Sequence, residues 1–300
     1  MPADKVQRNR IYVLMIMLVA FWGLDYAVAK DALIAFDTLS LIFFKYIFAL
    51  VFVLAIRLKT EKGPLFRKKD ILLFIVCGIF GDILYFYCEY TAMSYMPVSL
   101  ISIVVAFVPI VSIAIEAVVY KRKTSLKIIV GVLISIVGVV LIVGVDWDIL
   151  LRGRLIGYLL AFACVFSWNI YNFVTAALHE RYTTVTLTLN QLVCTSIMLA
   201  PYVIANVSKL PAVTPVLAAE IIYLGLLSGG IGFMIQVRAL LVLGPTTSAL
   251  FANFLPVTAT FFGWLMLGEL IGPVQLAGGA IVIAAGFFVI KEKGKQPYMK

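Results

Sequence analysis

The chain has 300 residues, of which 63% are hydrophobic and 13% charged, against roughly 45–50% apolar and about 25% charged in a soluble domain. The excess runs along the whole length, with a mean hydropathy of +1.09, which excludes a soluble domain with one anchor and makes this a polytopic membrane protein. The formal charge of +9 does not point to nucleic acid, because the cations fall in short clusters between apolar runs, where they set membrane orientation.

A helix needs roughly 20 apolar residues to cross the bilayer core, and about ten segments meet that need. The basic start, "MPADKVQRNR", runs into the first, 11–29. No small-residue cleavage site precedes its polar residues, so it reads as a spanning helix and not a removed signal. It carries Trp22 and Asp25. The second, 38–58, carries Lys45, and the third, 71–93, contains "GDILYFYCEY". The fourth, 97–119, holds Pro109 and Glu116, and the fifth, 126–144, a small-residue stripe of Gly131, Ser135 and Gly138 suited to close packing. The sixth is 155–177, the seventh 184–207, the eighth 216–237, the ninth 245–267 with Pro256, and the tenth, Gly-rich, 273–290. The connections are too short for a soluble domain, and no strand alternation suggests a barrel.

Lysine and arginine set the orientation. With a cytoplasmic N-terminus, the cytoplasmic segments hold Lys5, Arg8 and Arg10, then the cluster from Arg57 to Lys69, then Lys121, Arg122, Lys123 and Lys127, then Arg181, Arg238 and the C-terminal lysines. The opposite side holds only Lys30, Arg152, Arg154 and Lys209. Both termini are therefore expected in the cytoplasm of a multi-pass protein of the cytoplasmic membrane.

The chain also reads as a repeat. Superposing Pro109 on Pro256 superposes Gly131 on Gly278 and Gly138 on Ala285, and the helix starts at Pro97 and Pro245 agree within one residue. "AFWGLDYAVAKDAL" likewise resembles "VFSWNIYNFVTAAL", with Trp22 over Trp168. The expected organisation is an all-α membrane protein of ten transmembrane helices, built as two five-helix halves, 1–150 and 151–300. Five is odd, so the second half is inserted upside down, an architecture that places a solute site near the midplane.

Depth follows from the helical rise of about 1.5 Å per residue. Asp25 and Lys45 both fall about 21 Å above the cytoplasmic boundary, so they can pair. Asp82 falls at about 16 Å, near the centre of a core roughly 30 Å thick. A charge there costs about 2.5–3.5 kcal/mol on insertion scales, so such groups face a cavity or one another. Asp82, Tyr85 and Glu89 are spaced to share one helix face, which is expected to line a wet cavity with Tyr90 as a further aromatic wall. Glu89 is shallower and could equally reach the far interface. The Asp25–Lys45 pair is either a structural ion pair or part of the site. Trp22, at mid-depth, lies too deep for an interface belt and is either a ligand wall or packing. Trp168, Asn169 and Asn253 are cavity candidates too; Asn169, Asn172, Asn190, Gln191, Gln236 and Asn253 read equally as interhelical hydrogen-bond glue. Pro109 and Pro256 remove ladder bonds and permit a gating bend or a fixed kink, and Glu116 is a gating or interfacial acid. Cys77, Cys88, Cys164 and Cys194 show no ligand spacing and read as small apolar fillers, so no metal and no cofactor is expected.

"FWGLDYAVAK" in helix 1, the cationic "FFKYIFAL" in helix 2, the proline-centred helices 4 and 9, "LGEL" after helix 9 and the Gly-rich helices 5 and 10 together resemble the ten-helix EamA-type branch of the drug/metabolite transporter superfamily, over nearly the whole chain. The resemblance implies two inverted five-helix bundles, a central cavity lined by helices 1, 3, 4, 6, 8 and 9, and alternating access. It also implies a solute among amino acids and other exported metabolites, or choline-like or nucleotide-linked compounds. The chain departs from that pattern at "VVYKRKTS", where the family often has a Glu that the second half keeps as Glu269. It departs again at Lys45, where Arg is commoner, and in the acids of helices 1 and 3.

Those acids argue against a purely apolar solute. Asp25, Asp82 and Glu89 outnumber Lys45, so the expected function is a secondary transporter, not an enzyme. It would move a small polar metabolite, an amino acid or amine-like solute, outward, with protons as a candidate coupling ion. An uptake carrier for a quaternary amine is the alternative. A non-transporting scaffold is a third reading, and an intramembrane hydrolase a remote fourth: "GIFGD" approximates a Gly-x-Gly-Asp motif, but Ile79 replaces its first glycine and the single histidine, His179, lies in a short loop. The expected partners are a small-molecule substrate and membrane lipids, with no nucleic acid, in a monomer or homodimer.

Overall fold

A computed structural model describes residues 5–96, 98–121, 124–144, 155–267 and 271–295. Pro97, Glu269, Arg122, Lys123, Arg152, Arg154 and Lys300, used above, lie outside the described residues. Among the described residues the regular structure is helical, in ten helices. These are α1 (Lys5–Ala35), α2 (Thr38–Thr60), α3 (Lys68–Ala92), α4 (98–119), α5 (Leu126–Val143), α6 (Leu155–Leu178), α7 (Thr184–Ala205), α8 (Pro215–Leu243), α9 (245–267) and α10 (Pro273–Lys295). Nine of them are long and apolar enough to span a membrane among the described residues; α9 is not among the nine and carries a tight 3₁₀ turn at Leu250–Phe254.

Local chemistry explains the ends. Asp37 caps α2 by accepting from the N–H groups of Leu39 (3.1 Å) and Ser40 (3.0 Å), and Thr183 and Thr214 cap α7 and α8 in the same way. Several helices outrun their expected ends. α1 begins at Lys5 and continues to Ala35, and α8 continues to Leu243. Polar residues at a membrane surface lower hydropathy without breaking a helix.

Both proline-bearing helices are interrupted mid-length, just before the proline. α4 breaks at Ala106–Phe107, and Pro109 is the second residue of the segment Val108–Val119. Pro256 is the second residue of Leu255–Leu267, just after the 3₁₀ turn. Each proline therefore opens a new helical segment, where its missing N–H has no partner to lose.

Corresponding helices of the two halves pack on one another and run antiparallel. α5 and α10 form the most extensive pair: Gly131 faces Val289 and Phe288, while Gly138 faces Val282 and Gly278. In α2 and α7, Arg57 meets Thr186. α3 packs on α6 and α1 on α8, which is the same pairing with the halves exchanged. The third helix of each half also carries a π-helical stretch, Gly78–Leu84 in α3 and Leu224–Gly232 in α8.

The closest backbone approach is at Gly278. A Cβ there would lie 2.7 Å from the Gly138 carbonyl oxygen and 2.7 Å from the Ile142 nitrogen, and backbone cannot yield as a side chain can. Gly278→Ala is expected to destabilise the protein by about 1–3 kcal/mol, read as a lower melting temperature in detergent. An unchanged melting temperature would mean that α5 and α10 do not hold the bundle together.

On the side with both termini, the 61–67 loop is tied to the α6–α7 turn. Arg57 donates to the Thr186 hydroxyl (2.9 Å) and to the carbonyls of Glu61 (3.0 Å) and Gly63 (2.8 Å). Buried Asp70 pairs with Arg181 and accepts from the Tyr182 hydroxyl at 3.0 Å. In that turn burial lowers the His179 imidazole below its usual value, so it is neutral at pH 7.

Candidate functional site

A hollow lies among α1, α3, α4, α6, α8 and α9, the six helices that the resemblance implies. α1 contributes Trp22, Asp25 and Tyr26, α3 contributes Tyr85, Phe86 and Glu89, α4 Val105, α6 Trp168, α8 Gln236, and α9 Ser248 and Phe251. Its volume is about 40 Å³, room for on the order of two or three waters and too little for an amino acid. Admitting a solute requires the wall to move.

Asp25 and Lys45 form the pair that equal depth predicts: Lys45 Nζ lies 3.4 Å from Oδ1 and 3.2 Å from Oδ2 of Asp25. Nζ also sits 4.0 Å from the centroid of the Phe86 ring, a cation–π contact. Lys45 is fully buried and does not line the hollow. It has room because Gly225 and Gly229 in the π stretch of α8 pack against Lys45, Phe48 and Ala49 of α2.

Glu89 is 4% exposed, so the reading that it reaches the far interface is corrected: it is buried against Tyr26 of α1 and Tyr85 of its own helix. The hydroxyls of Tyr26 (2.9 Å) and Tyr85 (2.8 Å) both donate to its Oε1, and among the described residues Oε2 has no hydrogen bond. Among the described residues no lysine or arginine lines the hollow. Asp25 is paired with Lys45; no ion pair joins Glu89 to a lysine or arginine among the described residues.

The expected common face of Asp82, Tyr85 and Glu89 is not formed. The π-helical stretch Gly78–Leu84 bonds i to i+5 and widens the turn, shifting Asp82 out of the register that would put it on the hollow with Tyr85 and Glu89. There it accepts from the Thr195 hydroxyl of α7, away from the hollow. Asp25 and Asp82, each held by a different partner, do not make the dyad of an acid protease.

Four other expected site residues serve elsewhere. Tyr90 packs on Phe86 (5.5 Å between ring centroids) and stays outside the hollow. The Asn169 amide donates to the carbonyls of Val165 (2.8 Å) and Val108 (3.2 Å), clamping α6 to the restart of α4. The Asn253 amide donates to the Ser135 hydroxyl at 3.1 Å, joining α9 to α5. Glu116 binds Lys293 at 2.8 Å, tying α4 to α10. The interhelical reading holds for both asparagines.

Trp22 and Trp168 do form the aromatic wall. Their rings meet edge to face at 5.5 Å, and Tyr85 lies 5.0 Å from Trp168. Among the wall residues that escaped the sequence reading, two carry hydroxyls, Tyr26 and Ser248. The repeat carried the signal for the first: superposing Trp22 on Trp168 puts Tyr26 on Asn172, and superposing Pro109 on Pro256 puts Glu89 on Gln236. The second half forms the matching contact, with the Gln236 amide donating to Asn172 Oδ1 at 3.0 Å. Superposing Trp22 on Trp168 also puts Asp25 on Tyr171 and Lys45 on Gln191, and there the Tyr171 hydroxyl donates to Gln191 Oε1 at 3.3 Å. The halves build the same pairs, charged in the first and neutral in the second.

A family model described as the EamA-like transporter family matches residues 9–144 and again residues 155–291. The chain is 23% identical over 287 residues to an uncharacterized transporter of Archaeoglobus fulgidus, covering 94% of this chain and 99% of that protein. It is 26% identical over 236 residues to a probable terminal-alkyne amino-acid exporter of Streptantibioticus cattleyicolor, covering 77% of this chain and 78% of that one. A solved crystal structure superposes with a TM-score of 0.75 at 16% identity, over 93% of this chain and 97% of that chain; this likeness concerns the fold.

Proposed function

We propose, from the premise that the chain belongs to the EamA-like transporter family, that it exports a small amine-bearing metabolite, an amino acid or a related organic cation, across the cytoplasmic membrane. The observation that carries this is Glu89: a carboxyl group in the hollow that accepts from two tyrosine hydroxyls, with no lysine or arginine among the described lining residues. A solute ammonium at Oε2 supplies the missing charge, beside the aromatic wall of Trp22 and Trp168, whose ring faces favour a cation. Gln236 and Ser248 on the opposite wall offer neutral polar groups to the rest of the solute. Export and the amino-acid class are supported by the relative named as a probable amino-acid exporter.

The two halves, 1–150 and 151–300, act as inverted repeats that rock about this site in alternating access. Antiparallel packing of α5 on α10 and of α2 on α7 supports that reading. With both termini cytoplasmic, the Arg57, Asp70 and Arg181 ties close the cytoplasmic side in this state.

Counterflow in proteoliposomes tests the proposal. Preloading with unlabelled amino acids, polyamines or quaternary amines should drive saturable entry of the same labelled compound for at least one class. Exchange of quaternary amines alone would favour an organic-cation carrier, and no exchange across the panel would remove the proposal.

A further inference from the structure

We propose that Asp82 is a proton-binding site of its own, built into the π-helical turn of α3 and separate from the solute pocket. Asp82 is fully buried and does not line the hollow. Its Oδ2 accepts from the Thr195 hydroxyl, while Oδ1 has no partner among the described residues. The Tyr46 hydroxyl of α2, also fully buried, faces Asp82 without closing a hydrogen bond and is likewise unpartnered. Two unmet buried oxygens, one on an acid near the membrane midplane, are costly. A proton on Oδ1 removes the buried charge, and the resulting O–H can donate to the Tyr46 oxygen. The step is proton binding to the carboxylate alone, with no bond to carbon made or broken.

The surroundings supply no other compensation. The titratable groups facing Asp82 are Lys45 and Tyr46 of α2, Cys77 of α3, Tyr171 of α6 and Cys194 of α7. Lys45 is engaged by both oxygens of Asp25. The second half is an internal control: superposing Pro109 on Pro256 puts Asp82 on Gly229, inside the matching π stretch and against Ala49 of α2. A π turn at this place therefore forms without an acid, and Asp82 is not a requirement of the backbone geometry. One helix carries both Asp82 and, beyond the π turn, Tyr85 and Glu89, so a proton at the first can bias the wall of the pocket. That use rests on the carrier reading; proton binding itself does not.

Infrared difference spectra of the lipid-reconstituted protein between acidic and alkaline buffers test it, with the proton as the ligand. The wild type should lose the carbonyl stretch of a protonated carboxyl on going alkaline. Asp82→Asn should lack that band and Glu89→Gln should keep it. Thr195→Val, which removes the hydroxyl bonded to the carboxyl, should move its frequency. A wild type without the band, or an Asp82→Asn variant that retains the whole of it, overturns the proposal. If Asp82→Asn does not assemble, Thr195→Val decides alone, and an unmoved band overturns it. A titrating Asp82 in a protein that exchanges no amine would leave this inference standing and sink the carrier reading.

Discussion

Replacing Glu89 with Gln should lower solute exchange by at least about 30-fold while leaving the protein folded and inserted. The fold-change follows from losing a buried charge contact with the solute, worth roughly 2 kcal/mol or more. Stability should hold because Gln keeps a carbonyl oxygen for the Tyr26 and Tyr85 hydroxyls, which both donate to Oε1 now, and because the variant no longer buries a charge. The second half already builds the neutral counterpart at the matching position, where Gln236 bonds Asn172. The measurement is initial-rate counterflow with the best panel solute, alongside the melting temperature. Wild-type exchange in Glu89→Gln would remove Glu89 from the site.

Lys45→Met should have the largest effect on stability. The ammonium is fully buried and lies on both oxygens of Asp25. Removing it strands a carboxylate that is itself only 6% exposed, and breaking one side of a buried pair costs about 3–5 kcal/mol. Expression and melting temperature should fall sharply. Pairing the change with Asp25→Asn should restore most of the loss, because two neutral groups replace two charges. If Lys45→Met alone were as stable as the wild type, the pair would not be what joins α1 to α2 at the midplane.

These residues differ in how far the sequence revealed them. The helices are legible because nearly every apolar run is long enough to span, and the Asp25–Lys45 pair because helical rise fixes depth and a midplane charge demands a partner. Trp22 and Trp168 stand out because an indole at mid-depth has no interface to explain it. The π turns are not legible. An i to i+5 bond leaves no residue signature that "GIFGDIL" would betray, yet it decides that Asp82 faces Thr195 while Glu89 faces the hollow. Counting at 3.6 residues per turn puts both acids on one face, and the structure separates them. The burial of Glu89 was hidden for another reason: it depends on tertiary contacts with the hydroxyls of Tyr26 and Tyr85, which depth along a single helix does not reveal. Asn169 and Asn253 look alike in sequence as cavity or glue residues; only their bonds to Val108 and Ser135 distinguish the roles.

The most direct test of an uncompensated carboxylate receiving an ammonium changes the solute and leaves the protein alone. Counterflow should be compared for a transported amine and its N-acetylated form, which keeps the carbon skeleton and loses the positive charge. Exchange should be abolished by acetylation in the wild type. Equal exchange of the charged and acetylated compounds would contradict the account.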